Sequence, residues 1–230
     1  MAVLAQAKYN YDWSIVWGNL GPLWRGLLIT LELAAGGMAI SLVLGLIVVA
    51  ARMARSPLLS ALARGYIWFM RGVPLFVFLF WVYYGLARTA HIVLGAFSAG
   101  VWALGLTGSG YMAEIYRGGL QSIDPGQREA GLAIGLSRGT TFHRVVLPQA
   151  VRIILAPTVN LFVGLLKGAT IIGVLGVADM LYFAQVESLR TFKPFELYTA
   201  AGLILVAVTI AIAGFAALLD RRLGRGANRG

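Results

Sequence analysis

Five apolar stretches, each near the length of a bilayer-crossing helix, constrain this chain more than any other feature. They cover residues 23–49, 66–86, 96–115, 153–175 and 197–219. The hydrocarbon core of a bilayer is about 30 Å thick, so a helix needs about 20 apolar residues to cross it. In lipid only helices and closed barrels satisfy the backbone's hydrogen bonds, and runs this long are helical rather than the alternating strands of a barrel. The composition agrees: 12% of the residues are charged, against about 25% in soluble domains. The sequence predicts an all-α integral membrane protein of five spans. It reads as one domain over residues 1–230, with its core at 22–219 and a tail at 220–230. The fourth stretch is unusual. It holds Pro157, Asn160, Lys167 and three glycines, which suit a helix that bends, breaks or lines a cavity.

The formal net charge is +10. In a soluble chain that would suggest nucleic acid. Against this apolar background it suggests loops held on the cytoplasmic side and facing anionic lipid. Arg52, Arg55 and Arg64 separate the first two stretches, and Arg128, Arg138, Arg144 and Arg152 separate the third and fourth. Arg221, Arg222, Arg225 and Arg229 follow the fifth. Lys8, Arg25, Arg88, Arg190 and Lys193 are spread over the other loops. The positive-inside rule then places the N-terminus outside and the C-terminus in the cytoplasm. Trp13, Trp17 and Trp24 suit the outer headgroup level, and Asp12 starts either a short surface helix or a loose tail. The first residues lack a basic run followed by an apolar one, so no cleavable signal peptide is expected. The C-terminal GRGANRG reads as disordered. With no cysteine, disulfides, thiolate metal sites and cysteine nucleophiles are excluded.

Residues 123–152 form a long polar interruption that begins IDPGQREAGLAIGLSRGTTFHRVVLPQAV. Asp124 can cap a helix, Pro125 fits its first position, and Gln127 stands where a capping box places its amide. Ala130, Ala133 and Ile134 fall on one face, and Gly135 can end the helix in a left-handed turn. Ser137 can cap a second short helix running through Thr141 and Arg144, with Pro148 as its stop. Two small helices joined by a glycine elbow could lie on the inner leaflet or dock on a cytoplasmic protein.

At this point a family resemblance becomes specific. Glu129, Ala130, Gly131, Gly135, Val145, Leu147 and Pro148 resemble the EAA loop of ABC-importer permeases, with Gly131 in place of the second alanine and Val145 in place of isoleucine. RGVPLFVFLFWVYYGL at residues 71–86 and GYMAEIYRGGLQSIDPGQREAG at 110–131 are similar to signatures of the polar amino acid branch. The resemblance extends over residues 11–219. It implies a permease that imports a polar amino acid or similar solute by alternating access. In such permeases the loop is a coupling helix inserted into a groove on an ATPase subunit, and Ser137 and Arg138 fall in that element. The implied partners are a second permease chain, two cytoplasmic ATPases and an extracytoplasmic solute-binding protein, in a bacterial plasma (inner) membrane. No cofactor is expected on this chain. ATP and Mg belong to the ATPase, and no GxxxxGK[ST] loop occurs here. GVLGVAD at 173–179 is read as a turn, and His91 and His143 lie in separate loops, so neither a metal site nor a catalytic group is expected.

Ionisable and polar groups within the spans are the candidates for the solute path. They are Asn160, Lys167, Gly168, Thr170 and the pair Glu114 and Arg117, with Arg71 expected to snorkel and Glu32 to pack or snorkel. Relatives carry an acid after the lysine of the LLK segment, where this chain has Gly168. Its absence leaves no partner for a cationic solute at that point. A heterodimer whose other permease keeps the acid is favoured over a homodimer. The remaining alternatives are an importer of opines or other amine-bearing metabolites with the same architecture and, more remotely, a passive channel.

Overall fold

The computed structural model describes residues 9–224, with side chains to residue 218. Every regular element among them is helical: α1 (Ser14–Gly18), α2 (Leu20–Arg52), α3 (Pro57–Gly72), α4 (Leu75–Thr89, with a π-helical turn at Trp81–Gly85), α5 (Ala96–Gln121), α6 (Pro125–Ala133), α7 (Arg138–Thr141), α8 (Leu147–Ala169), α9 (Met180–Thr191) and α10 (Pro194–Gly224). The first eight residues, where no signal peptide is expected, the tail GANRG, and the charges Lys8, Arg225 and Arg229 lie outside the described residues.

The scaffold is the seam between α2 and α5. On α2, Leu23, Leu27, Thr30, Ala34, Gly37, Ser41, Gly45 and Val49 recur at helical spacing and are buried. From Ala34 to Val49 they meet a face of α5 that includes Ala99, Ala103, Gly105, Gly108 and Met112, while Leu23 and Leu27 pack against α9 and α10. Between apolar helices in lipid, small residues gain their stabilisation by letting the backbones approach. A Cβ on Gly37 would stand 2.7 Å from Leu104 Cβ, and one on Gly105 would stand 2.5 Å from Ile40 Cβ. The Ser41 hydroxyl bridges the seam, 2.8 Å from the Gly37 carbonyl and 3.1 Å from that of Gly105. Leu33, Leu79, Leu104, Leu166 and Ile172 join the seam to α4, α8 and the turn after α8 in one core.

The opposite end of α2 is tied to the segment before α9. A Cβ on Gly26 would lie 2.6 Å from Met180 Cα and 2.7 Å from the Asp179 carbonyl oxygen, and Thr30 Oγ1 accepts from Met180 N at 3.2 Å. Residues 173–179 form the expected turn, with Gly176 at φ 83°. The Asp179 carboxylate caps α9, accepting from Tyr182 N at 2.8 Å and Gly173 N at 2.9 Å. Its burial, between two spans, pushes its carboxyl up to about 6. A short helix follows Asp12 as α1, and Asp12 precedes its cap by one residue.

Among the described residues Leu20–Arg52, Arg138–Leu175 and Pro194–Leu218 are each long and apolar enough to cross a bilayer alone, and a broken pair can make a fourth, which accounts for up to four of the five expected spans. Helix α5, expected as the third span, is long enough but is built largely of Gly, Ala, Ser and Thr, because its partners are other helices. The expected second span, residues 66–86, is not one helix: α3 and α4 meet at 105°. Pro74 has no N–H and pushes the residue before it out of the helical region; Val73 is extended at φ −72°, ψ 131°. Pro148 does not stop the helix that Ser137 begins, since α7 runs through a π-helical turn at Phe142–Val146 into α8. Pro148 stands in the first turn after that register shift, where a proline's missing N–H costs least.

Candidate functional site

The elbow is assembled from local hydrogen bonds. Asp124 Oδ1 accepts from Gly126 N at 2.6 Å, and Pro125 opens α6. At the other end, Gly135 N donates to the Leu132 carbonyl at 3.0 Å and Leu136 N to that of Gly131 at 3.1 Å. With Gly135 at φ 85°, this is a Schellman closure, which uses the left-handed region glycine enters freely. Ser137 Oγ then accepts from Thr140 N at 3.2 Å and starts α7. Gln127 does not complete a capping box. Its amide oxygen instead faces Gln149 Nε2 at 3.5 Å, linking α6 to α8 near Leu147 and Pro148.

The two arms of the elbow pack through Gly131, the buried residue of α6. A Cβ there would stand 2.6 Å from Thr141 Cγ2, so the glycine that replaces alanine in the EAA pattern is the residue that lets the arms close. The other side of α6 is open: Glu129, Ala130 and Ala133 are exposed, as are Leu132 (46%) and Ile134 (77%). Arg128 and Arg138 flank a cleft of about 410 Å³ between the elbow and the ends of α2 and α5, floored by Leu120, Phe142 and Val146.

A second cleft, of about 500 Å³, lies where the α3–α4 break faces α5 and α8. Met70, Val73 and Leu75 form its broken edge; Thr107 and Tyr111 come from α5, and Pro157, Asn160 and Gly164 from α8. Its walls are mainly apolar, with a few hydroxyl and amide groups, the arrangement typical of a small-molecule site.

Of the residues expected in the solute path, Asn160 lines this cleft. Gly168 stands behind its wall: a Cβ there would reach Leu75 Cδ2 at 2.8 Å and Leu104 Cδ2 at 3.1 Å, and both leucines face the cleft. The space a larger side chain would need is thus occupied by leucine methyls. Lys167 is exposed and does not line the cleft. Thr170, which donates to the Lys167 carbonyl at 2.7 Å, lines a separate recess with Phe76 and Tyr182. Glu114 and Arg117 form the expected pair, with Nη2 to Oε2 at 2.6 Å, but in a third cleft shared with Arg71. Glu32 is exposed. Sequence reasoning missed Thr107 and Tyr111. Their spacing of four on the expected third span, beside Gly108, is a signal that could have found them.

The comparisons with known proteins agree with this arrangement. Residues 37–225 match the family described as binding-protein-dependent transport system inner membrane component. The chain is 37% identical over 203 residues to the probable amino-acid ABC transporter permease protein PatM of Vibrio harveyi, covering 87% of this chain and 91% of that protein. It is 34% identical over 216 residues to the probable amino-acid permease protein YxeN of Bacillus subtilis strain 168, covering 93% and 96%. Among solved structures, a chain of an amino acid ABC transporter crystallised with histidines superposes with a TM-score of 0.87 at 32% identity, covering 93% of this chain and all of that one. A chain of the inward-facing MetNI methionine ABC transporter shares the fold with a TM-score of 0.72 at 17% identity, covering 93% and 99%. This chain belongs to the family of binding-protein-dependent transport system inner membrane components and is the permease subunit of an ABC transporter.

Proposed function

We propose that this permease imports a polar amino acid or a closely similar solute, driven by ATP hydrolysis on partner subunits. The relatives' names support the solute class. The observation that carries the coupling role is the elbow. Its closure is satisfied internally by hydrogen bonds, while Ala130, Ala133 and Ile134 stay exposed. A small-sided helix held rigid outside the bundle suits insertion into a groove on another protein, since little conformational entropy remains to be lost on docking. Glu129 and Arg138 flank this surface, and Leu147 and Pro148 join it to α8. Closure of two ATPase subunits would pull the elbow, and α8 would transmit the pull because α7, the π turn and α8 run on without a break.

In this reading the elbow faces the cytoplasm and α1 the outside, where a solute-binding protein delivers the solute. ATP and Mg act on the ATPase subunits. The cleft beside Asn160, Thr107 and Tyr111 is the solute's way through, and a second permease chain closes its open side. Among the described residues no carboxylate lines the cleft, so a cationic solute would need its counter-charge from that second chain; this supports a heterodimer. A cysteine at Ser137 should label only from the cytoplasmic side and cross-link to the ATPase, and one at Thr89 should label only from outside. Labelling of the Ser137 position in intact cells by an impermeant reagent would overturn the orientation.

A further inference from the structure

The third cleft, of about 460 Å³, lies outside the solute cleft and at the elbow end of the bundle. It is formed by Arg52 at the end of α2, by Arg64, Gly65, Trp68 and Arg71 on α3, and by Glu114 and Arg117 on α5. Four guanidinium groups face one carboxylate, and Arg117 already occupies that carboxylate. Arg71 lies over the Tyr111 ring, 5.1 Å from its centroid. Arg52 and Arg64 have no acidic partner among the described residues, yet they converge: Arg52 Nη1 donates to Ser60 Oγ at 3.0 Å and Arg64 Nη1 to the same oxygen at 3.4 Å. Ser60 is itself buried and donates to the Arg52 carbonyl at 2.9 Å, so this point is part of the packing between α2 and α3. Two like charges drawn to one neutral oxygen repel each other unless an anion joins them. Gly65 leaves the floor open, with nothing within 4 Å of where a Cβ would stand.

The rim identifies the anion's chemistry. Trp68 is 85% exposed, and Leu58, Leu62 and Phe69 on the same helix are 70%, 63% and 57% exposed. A free anion would use the arginines but leave this apolar surface bare. A phospholipid uses both, with its phosphate among the guanidinium groups, its acyl chains along α3 and the indole at the interface. We propose that Arg52 and Arg64, with Trp68 as the rim, bind the phosphate headgroup of an anionic phospholipid. The proposed orientation makes this an inner-leaflet lipid. The site itself rests only on the α2–α3 geometry, so it stands or falls separately from the transport reading.

The test uses the full chain purified with its partner subunits and placed in nanodiscs of phosphatidylcholine doped with phosphatidylglycerol. Native mass spectrometry then counts retained phosphatidylglycerol. A basic residue near an anionic surface is worth about a factor of five in binding, so Arg52→Gln with Arg64→Gln should weaken retention about 25-fold. Arg55→Gln, on the same connection but outside the cleft, should leave it unchanged. The double variant's circular dichroism and subunit content establish that it is folded and assembled. Equal retention in the double variant and the parent would overturn the site. Displacement by inorganic phosphate at equal concentration would replace the lipid with a free-anion site. Retention by the isolated permease but not by the assembled complex would make this face a protein interface instead.

Discussion

Along the α2–α5 seam and at Gly26, the volume a glycine's missing side chain would fill is taken by a neighbour's backbone or Cβ atoms. At Gly72 by the α3 break, at Gly164 in the cleft wall and at Gly135 in the elbow it is empty. Gly26 faces Met180 Cα at 2.6 Å and Gly45 faces Met112 Cβ at 2.8 Å, whereas Gly72, Gly135 and Gly164 have nothing within 4 Å. The first set holds two helices at one separation and one register, and such packing cannot slide without collision. The second set lies where the chain changes direction or borders the cleft, and there a helix end can shift without meeting a backbone. The seam therefore serves as the fixed frame, and the open glycines mark the parts available to a transport cycle. Substitutions at the two kinds of glycine should separate stability from coupling.

The largest effect is expected at the frame. Gly26→Val would force α2 away from the turn before α9, since the atoms it meets are backbone and cannot rotate aside. Overpacking of this kind costs on the order of 4 kcal/mol when the backbone must move. The thermal midpoint of the detergent-solubilised complex should fall by well over the shift seen for Gly164→Val. Equal shifts would erase the distinction between the two sets.

The same junction should respond to pH. With its carboxyl raised to about 6, Asp179 is held neutral more readily in the folded protein than in the unfolded chain. Its contribution is complete below the unfolded value near 4 and is lost as pH rises through about 6, at a cost of at most about 3 kcal/mol. Thermal midpoints at pH 5 and pH 7.5 should therefore differ, with the lower pH more stabilising. Asp179→Asn should flatten that dependence. It should also lower stability at every pH, because an amide nitrogen would replace one of the oxygens that accept from Gly173 N and Tyr182 N.

At the elbow the effect should move from stability to function. Gly135→Val meets no atoms, so its cost is the left-handed backbone alone, about 1–2 kcal/mol. The spans should remain folded while uptake in reconstituted vesicles falls about tenfold relative to ATP hydrolysis. Gly135→Asn, which tolerates φ above zero, should recover most of it. Loss of the fold rather than of coupling would place Gly135 with the frame.

The elbow could be read from sequence because its determinants are local. Asp124, Pro125, Gly135 and Ser137 each act within a few residues of themselves. The break in the second span was equally local, in Val73–Pro74, but the apolar run around it outweighed the proline rule. Pro148 departs from its expected role for the opposite reason. The rule that proline ends a helix assumes an i to i−4 register, and the π turn before it changes that register. The cleft was legible only in part. Its wall comes from four helices, and a periodic pattern on one helix does not say which face of another it meets. On α8, Pro157, Asn160, Gly164 and Lys167 all fall within about 80° of one another around the helix, so periodicity alone does not exclude Lys167, which lies beyond Gly164 and outside the cleft lining.

The smallest effect on stability should be at Gly168, where the comparison is sharpest because the site lies between the two kinds of glycine. A Cβ there is close, at 2.8 Å from Leu75 Cδ2 and 3.1 Å from Leu104 Cδ2, but both are the far ends of rotatable side chains. Gly168→Ala should therefore cost no more than about 1 kcal/mol, gaining in helix propensity part of what it loses in repacking. Gly168→Asp adds a charge to the same leucine-walled space. With no cation present, that carboxylate is buried without a partner and should destabilise well beyond the alanine variant. With a cationic solute in the cleft, the loss should be partly reversed, since an opposite charge offsets desolvation. The measurement is the thermal midpoint of both variants with and without arginine, and with and without glutamine as a neutral control. Stabilisation of Gly168→Asp by arginine alone would connect position 168 to the solute through the leucine wall. An equal response to both amino acids would show that the leucines seal the position from the cleft. The counter-charge for any cationic solute would then have to come entirely from elsewhere in the assembly.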